Sequence, residues 1–135
     1  MKYLRWIPPY QLTLAVGIVI LYLTLLPKPF GEEDLPLFPG ADKLAHCCMF
    51  GGLALTYIFE RKRDHRPVSM KGALITASVV TIFGIAVEFI QNAMGLGRSG
   101  DLADAIADAA GAFAAVPLCY CLHWIDIIVK HRTRK

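Results

Sequence analysis

Residues 88–111 read EFIQNAMGLGRSGDLADAIADAAG and place charged side chains between two apolar segments, some of them inside those segments. Residues 73–87 before this stretch read ALITASVVTIFGIAV, and residues 112–129 after it read AFAAVPLCYCLHWIDIIV. A carboxylate at the centre of a membrane-spanning helix costs about 2.5–3.5 kcal/mol unless it faces a polar partner or a water-filled cavity. The stretch therefore predicts a polar site enclosed by apolar helices.

The composition is that of an integral membrane protein. Apolar residues make up 56% of the 135 residues and charged residues 19%, whereas soluble domains have about 25% charged residues. Because the apolar residues come in four blocks, the sequence predicts one all-α domain, residues 1–135, built as a bundle of four transmembrane helices. The predicted helices cover residues 10–26, 42–59, 72–95 and 102–129, close to the length of about 20 residues that a spanning helix needs.

The first apolar block is interpreted as a membrane helix rather than a cleaved signal peptide. No small-x-small cleavage site follows it, and the chain continues into Pro27-Lys28-Pro29. The cysteines all lie in apolar blocks without C-x-x-C spacing, so they are interpreted as packing residues rather than as disulfides or zinc ligands. They are Cys47, Cys48, Cys119 and Cys121.

The distribution of basic residues predicts the orientation. Most of the 14 Lys and Arg residues occur in the N-terminal tail, in segment 60–71 and in the C-terminal tail. Positively charged residues stay on the cytoplasmic side of short loops, so both termini are predicted to be cytoplasmic in a multi-pass protein of the bacterial cytoplasmic membrane. The basic segments are expected to contact anionic lipid headgroups, and no nucleic-acid partner is predicted.

With this topology, polar residues from three segments share one depth on the outward side. Asp42 and His46, four residues apart, share a face of helix two. Glu88 and Gln91, three apart, share a face of helix three, and the aspartates of helix four follow the same spacing. The predicted site comprises Asp42, Lys43, His46, Glu88, Gln91, Arg98, Asp101, Asp104 and Asp108.

Acidic residues outnumber basic residues in this set, and such an excess is unfavourable in a low dielectric. Some acids then hold protons, His46 is charged, or a cation or cationic ligand binds. A simpler alternative stays open for Asp42, Asp101 and Asp104, which lie where a carboxylate caps or stabilises a helix N-terminus. Glu88, His46 and Asp108 lie too far inside their helices to be caps, and for them the alternative is a buried structural hydrogen-bond network.

Two motifs carry a resemblance to a known family. Residues 42–55, DKLAHCCMFGGLAL, resemble the D-K-x-x-H start of the second helix of VanZ-like proteins. EFIQ, GRSGDLAD and ADAAG, all within residues 88–111, resemble the family's E-x-x-Q … R … D-x-x-x-(N)-x-x-G block. The resemblance spans nearly the whole chain and implies a four-helix protein of the bacterial cell envelope, in a family named after a protein linked to resistance against the glycopeptide teicoplanin.

The resemblance also implies a set of site residues. The family's motif positions fall on Asp42, Lys43, His46, Glu88, Gln91, Arg98, Asp104 and Gly111. The chain departs from the pattern at Asp108, where the family usually has Asn, and at Cys47, where an aromatic residue often follows the motif His. The first departure makes the site more acidic.

These observations favour an outward-facing cavity that binds or modifies an envelope lipid or a lipid-linked cell-wall precursor. Arg98 and Lys43 would hold an anionic headgroup. His46 and Glu88 are the candidate catalytic acid and base, because histidine titrates near neutral pH and burial raises the pKa of a glutamate towards neutral pH.

Asp104 and Asp108 would orient the arginine or bind a divalent cation such as Mg²⁺ or Ca²⁺, which prefer carboxylate oxygen. Two alternatives to a lipid site remain open. One is a non-catalytic envelope-binding or immunity module that uses the same cavity as a receptor. The other is a small ion or proton-coupled carrier.

Overall fold

The computed structural model describes residues 6–25, 41–95 and 102–126, without the side chains of residues 41, 42 and 126. In these ranges the fold is all-α with four helices, as predicted. The helices are α1 (Gln11–Leu25), α2 (Ala41–Arg63), α3 (Met70–Met94) and α4 (Leu102–Cys121). Two short strands, β1 (Val68–Ser69) and β2 (Ile125–Asp126), pair in parallel and join the start of α3 to the segment after α4.

The outer faces of the helices are apolar, and the largely apolar interior also encloses several polar residues. Phe89 of α3 is 72% exposed, and Ile82 and Ile106 are also exposed, whereas Glu60 and Asp108 are buried. Large exposed apolar surfaces of this kind are unusual for a soluble protein, and the charged residues that are buried have partners inside the bundle. This pattern suits a protein whose surrounding solvent is lipid.

Two of the described helices, α3 and α4, are long and apolar enough to cross a membrane. Helix α1 is apolar but has 15 residues, which span about 22 Å at 1.5 Å per residue, less than the roughly 30 Å hydrocarbon core. Helix α2 has 23 residues but carries charged side chains at both ends, including Arg61, Lys62 and Arg63 in its last turn.

Helix α4 ends earlier than the sequence predicts. The prediction extends the helix to residue 129, but the backbone N–H of Trp124 donates to the carbonyl of Cys119 at 2.9 Å, and His123 has a left-handed φ of 57°. Together these close the helix in a Schellman motif, which turns the chain away from the helix axis. His65, with a φ of 59°, occupies the same position after α2.

Helices α2 and α4 come closest at Gly111. A Cβ at this position would lie 2.0 Å from the carbonyl oxygen of Cys47, and one at Gly51 would lie 3.0 Å from the carbonyl oxygen of Gly111. The atoms in the way belong to the backbone of another helix and cannot rotate aside, so the contact requires glycine. Ala107, Gly111 and Ala115 form a small-xxx-small stripe on α4, a spacing that predicts close helix packing, and Gly111 makes this close contact in the structure.

A buried carboxylate joins α1 to α2. Glu60 accepts hydrogen bonds from the backbone N–H groups of Leu12 and Thr13, both at 3.0 Å, and from the Thr13 hydroxyl. The first N–H groups of a helix lack partners inside the helix and carry partial positive charge. Glu60 therefore satisfies two of these donors and is itself stabilised by the partial positive charge of the helix end. Arg63 Nη2 also lies 3.8 Å from Oε1 of Glu60.

Replacing Gly111 with alanine should lower the free energy of unfolding in detergent by about 1–3 kcal/mol, because the added methyl group overlaps the α2 backbone. The matched control is Gly52→Ala on α2, where an added Cβ meets nothing within 4 Å. Removing a helical glycine there should stabilise the protein by about 0.5–1 kcal/mol. Equal stabilities of the two variants in thermal unfolding followed by circular dichroism would contradict the proposed crossing.

Glu60→Gln should lower the free energy of unfolding by about 1.5–3 kcal/mol, the contribution of hydrogen bonds to a charged group. Its control is Asp64→Asn, which changes a carboxylate that is 32% exposed and bonded to Arg63. That substitution should change stability by less than about 0.5 kcal/mol. The same thermal measurement checks both, and a Glu60 variant as stable as the control would show that the cap is not stabilising.

Candidate functional site

The structure describes most of the predicted site residues at one end of the bundle. Arg98 and Asp101 lie outside the described residues, and Asp42 lies in the first turn of α2 without a described side chain. The remaining residues come from α2, α3 and α4. Their contacts show which of them form one site.

The centre of the site is a pair formed by His46 of α2 and Asp108 of α4. The Nδ1 atom of His46 lies 2.9 Å from Oδ1 of Asp108, and both residues are buried. The imidazole ring also stacks on Phe50 one turn later, with ring centroids 6.3 Å apart. The histidine ring is thus fixed on one side by a carboxylate and on another by an aromatic face.

Gly84 of α3 makes room for this pair. A Cβ at position 84 would lie 2.8 Å from Oδ2 of Asp108 and 3.0 Å from its Cβ. The carboxylate of Asp108 is therefore seated directly against the backbone of α3. Three helices thus meet at this carboxylate and the histidine bonded to it.

Asp104 links the centre to the rim of the bundle. Its Oδ1 accepts a hydrogen bond from Lys43 Nζ at 3.2 Å, and its Oδ2 lies 4.0 Å from His46 Nε2. Asp104 also lies in the first turn of α4, where a carboxylate is favourable. The helix-end interpretation and the site interpretation both apply to this residue, because its side chain also pairs with α2.

The two polar residues of α3 make different contacts. Glu88 is buried beside the central pair, so that one ligand atom each from His46, Glu88 and Asp108 lies within 4.8 Å of the others. Gln91, one turn further along, donates through Nε2 to the backbone carbonyl of Thr24 in α1. This hydrogen bond joins α3 to α1.

A groove of about 450 Å³ runs along the outside of the bundle between α3 and α4. Its walls are mainly apolar and include Ile85 and Phe89 from α3 and Leu102 and Ile106 from α4. Glu88 also lines the groove. The same residue therefore borders both the apolar groove and the polar centre of the site.

A protein-family model described as VanZ/LLP1 matches residues 10–124, which include all four helices and every predicted site residue. The chain belongs to the VanZ/LLP1 family. A search of curated proteins and one of solved structures gave no match.

The family membership confirms the resemblance carried by the two motifs. Together with α3 and α4, the two helices long and apolar enough to span a bilayer, it identifies a VanZ-like membrane protein. Of the VanZ motif residues whose side chains are described, His46 and Glu88 lie beside Asp108, a position where the chain departs from the usual VanZ pattern. Asp104 and Lys43 extend this cluster from His46 to the rim of the bundle.

Two contributors to this VanZ-like site are missed by sequence reasoning. Gly84 lies four residues before Glu88 and so shares its helix face, a spacing from which its role could have been found. Thr24 contributes its backbone carbonyl and not its hydroxyl, which donates to the carbonyl of Ile20 at 2.7 Å. No side-chain pattern identifies a backbone acceptor on another helix.

Gly84→Ala should disturb the central pair, because the added methyl group displaces the Asp108 carboxylate. We expect a loss of about 1–3 kcal/mol in unfolding free energy and a change in the ¹⁵N NMR shifts of the His46 imidazole. Gly17→Ala is the control, since an added Cβ there meets nothing within 4 Å. Unchanged His46 shifts in the Gly84 variant would rule out contact between α3 and the Asp108 carboxylate.

Proposed function

We propose that this VanZ-like protein binds an envelope lipid, or a lipid-linked cell-wall precursor, at a polar site reached from within the membrane. The observation that carries the proposal is the position of Glu88. It lines the apolar groove between α3 and α4, and it also lies within 4.8 Å of His46 and Asp108. A lipid chain in the groove would place its headgroup beside the buried polar centre.

The setting of the groove supports a lipid as its occupant. It lies between α3 and α4, the described helices that are long and apolar enough to span a membrane. Its wall residues Phe89 and Leu102 are highly exposed in the bundle, so this face meets lipid rather than water when the helices are embedded. Its volume of about 450 Å³ is within the range of about 300–1,000 Å³ that ligand sites occupy.

Lys43 is suited to hold an anionic headgroup. Its side chain is 45% exposed at the rim and bonds Asp104 at 3.2 Å, so its ammonium group can reach a headgroup while it stays bonded to the bundle. Arg98, which the resemblance places at the same site, would supply the bidentate donors that phosphate favours.

The charge distribution and the family support an outward-facing site in the bacterial cytoplasmic membrane. We infer that all four helices cross the membrane and that both termini are cytoplasmic. The basic residues Arg61, Lys62 and Arg63 lie at the opposite end of α2 from His46, and basic residues favour the cytoplasmic side. A site facing the envelope agrees with the family's link to glycopeptide resistance.

A second candidate function is chemical modification of the bound lipid. It is favoured by the 2.9 Å contact between His46 and Asp108, because a carboxylate that fixes one ring nitrogen orients the other for proton transfer. In this mechanism His46 Nε2 would move the proton, and Glu88, at the groove, would be the second acid or base. Non-catalytic shielding of an envelope target and ion transport remain the alternatives.

The binding function is tested by filling the groove. Ala109 lines the groove, whereas its neighbour Ala110 is exposed outside it. Ala109→Phe should reduce the lipid that co-purifies in detergent by at least about tenfold, or about 1.4 kcal/mol, as measured by native mass spectrometry. Ala110→Phe should retain it, and equal lipid content in the two variants would exclude the groove as the binding site.

His46→Asn separates the candidate functions. Loss of lipid turnover with retained lipid binding would favour the enzyme, whereas retained antibiotic tolerance without any turnover would favour a binding or immunity module. A change in ion flux across reconstituted vesicles, without a change in lipid binding, would favour a carrier.

A further inference from the structure

We propose that His46, Glu88 and Asp108 bind a divalent transition-metal ion, Zn²⁺ or Mn²⁺. The three residues come from α2, α3 and α4, all are buried, and one ligand atom from each lies within 4.8 Å of the others. Zinc is commonly bound by imidazole and carboxylate, and three protein ligands leave a coordination position open for water or a ligand. The histidine favours these ions over the Mg²⁺ or Ca²⁺ that the aspartates alone suggest.

The distance between His46 and Asp108 is close to that between adjacent ligands of one ion. Metal–ligand bonds of about 2.0–2.2 Å place neighbouring ligand atoms about 3 Å apart in an octahedral site and about 3.4 Å apart in a tetrahedral one, and Nδ1 of His46 lies 2.9 Å from Oδ1 of Asp108. Glu88, whose carboxylate oxygen lies within 4.8 Å of the other two ligand atoms, completes the set when its side chain rotates towards them. On binding, Nδ1 gives up any proton it carries, so metal uptake releases protons and weakens as the pH falls.

Asp104 lies where a residue supporting the metal ligands is expected. A histidine that binds a metal through one nitrogen usually directs its other N–H towards a carboxylate or water. With Nδ1 on the ion, Nε2 of His46 faces Oδ2 of Asp104 at 4.0 Å, a distance that one small movement or a water molecule bridges. Lys43 holds this carboxylate in place from the rim at 3.2 Å.

Gly84 and Phe50 provide the rest of the surroundings. Gly84 lets the Asp108 carboxylate lie against α3, and Phe50 covers one face of the imidazole ring. The ligands are thus oriented by packing before any ion arrives.

An ion bound at this site would be accessible to a lipid headgroup in the α3–α4 groove. Glu88 borders the groove, so the open coordination positions would face it. A phosphate oxygen could occupy one of them, and the acidic centre would then attract an anionic headgroup through the metal. This last step rests on the proposed lipid function, whereas the metal site does not.

The metal site is tested on the full-length protein in detergent after treatment with a chelator. Isothermal titration with ZnCl₂ and with MnCl₂ should show one ion per chain for at least one of the two metals, and MgCl₂ should bind at least about 100-fold more weakly. Glu88→Gln and Asp108→Asn should each weaken binding by at least about 100-fold, and Asp104→Asn by about 10–100-fold, as supporting residues do. Asp64→Asn, a carboxylate at the far end of α2, should leave binding unchanged.

X-ray absorption of the zinc-loaded wild-type protein decides the matter if the variants fail to fold. One imidazole with oxygen ligands is expected. Zinc–sulfur scattering would assign the ion to the cysteines, and this result would overturn the proposal. So would the absence of stoichiometric binding, or binding that persists unchanged in folded Glu88→Gln and Asp108→Asn variants.

A parallel lipid measurement keeps the two proposals separate. If the chelator-treated protein takes up no metal but still co-purifies with phospholipid, the metal site is overturned and the lipid function is retained. The opposite result is one metal ion per chain with no bound lipid, and equal lipid content in the Ala109→Phe and Ala110→Phe variants. It would support the metal site and exclude the lipid function.

Discussion

The contact between His46 and Asp108 is the interaction on which the site depends. It joins α2 to α4 at 2.9 Å inside an otherwise apolar bundle. A hydrogen bond of this kind requires the two helices to be close, and Gly111, three residues after Asp108, permits that approach against the α2 backbone. Gly84 admits the carboxylate on the other side. A crossing made by one glycine thus sets the geometry of a polar centre contributed by three helices.

Each end of α2 carries one buried polar centre. Glu60 and His46 lie about 21 Å apart along the helix at 1.5 Å per residue, and apolar residues such as Phe50 and Ile58 fill the space between them. The two centres are stabilised differently. Glu60 binds the N-terminal amides of α1, a structural arrangement of one carboxylate with backbone donors. The other centre combines an imidazole, several carboxylates and an adjoining groove, which is an arrangement suited to binding.

The sequence predicted the all-α fold and the family, because apolar blocks and short motifs are local signals. It also predicted one polar site, of which the structure brings His46, Glu88, Asp104 and Asp108 close together. The end of α4 was not predicted, since the hydrophobic pattern continues past His123 while the backbone turns there. The partners of Gln91 and Glu60 were also not predicted. Both bind backbone atoms of α1, which are set by how the helices pack and not by any side chain in α1. The close approach of the Asp108 carboxylate to Gly84 also depends on how the helices pack, and it was not predicted for the same reason.

The Glu60 cap has a consequence for the order of biogenesis. Glu60 follows Leu12 by 48 residues, so α1 leaves the ribosome well before the carboxylate that will bind its first amides. Until then, water or lipid headgroups must satisfy those amides. The contact between α1 and Glu60 therefore forms only after most of α2 has been synthesised, which makes the attachment of α1 a late event in the folding of the chain.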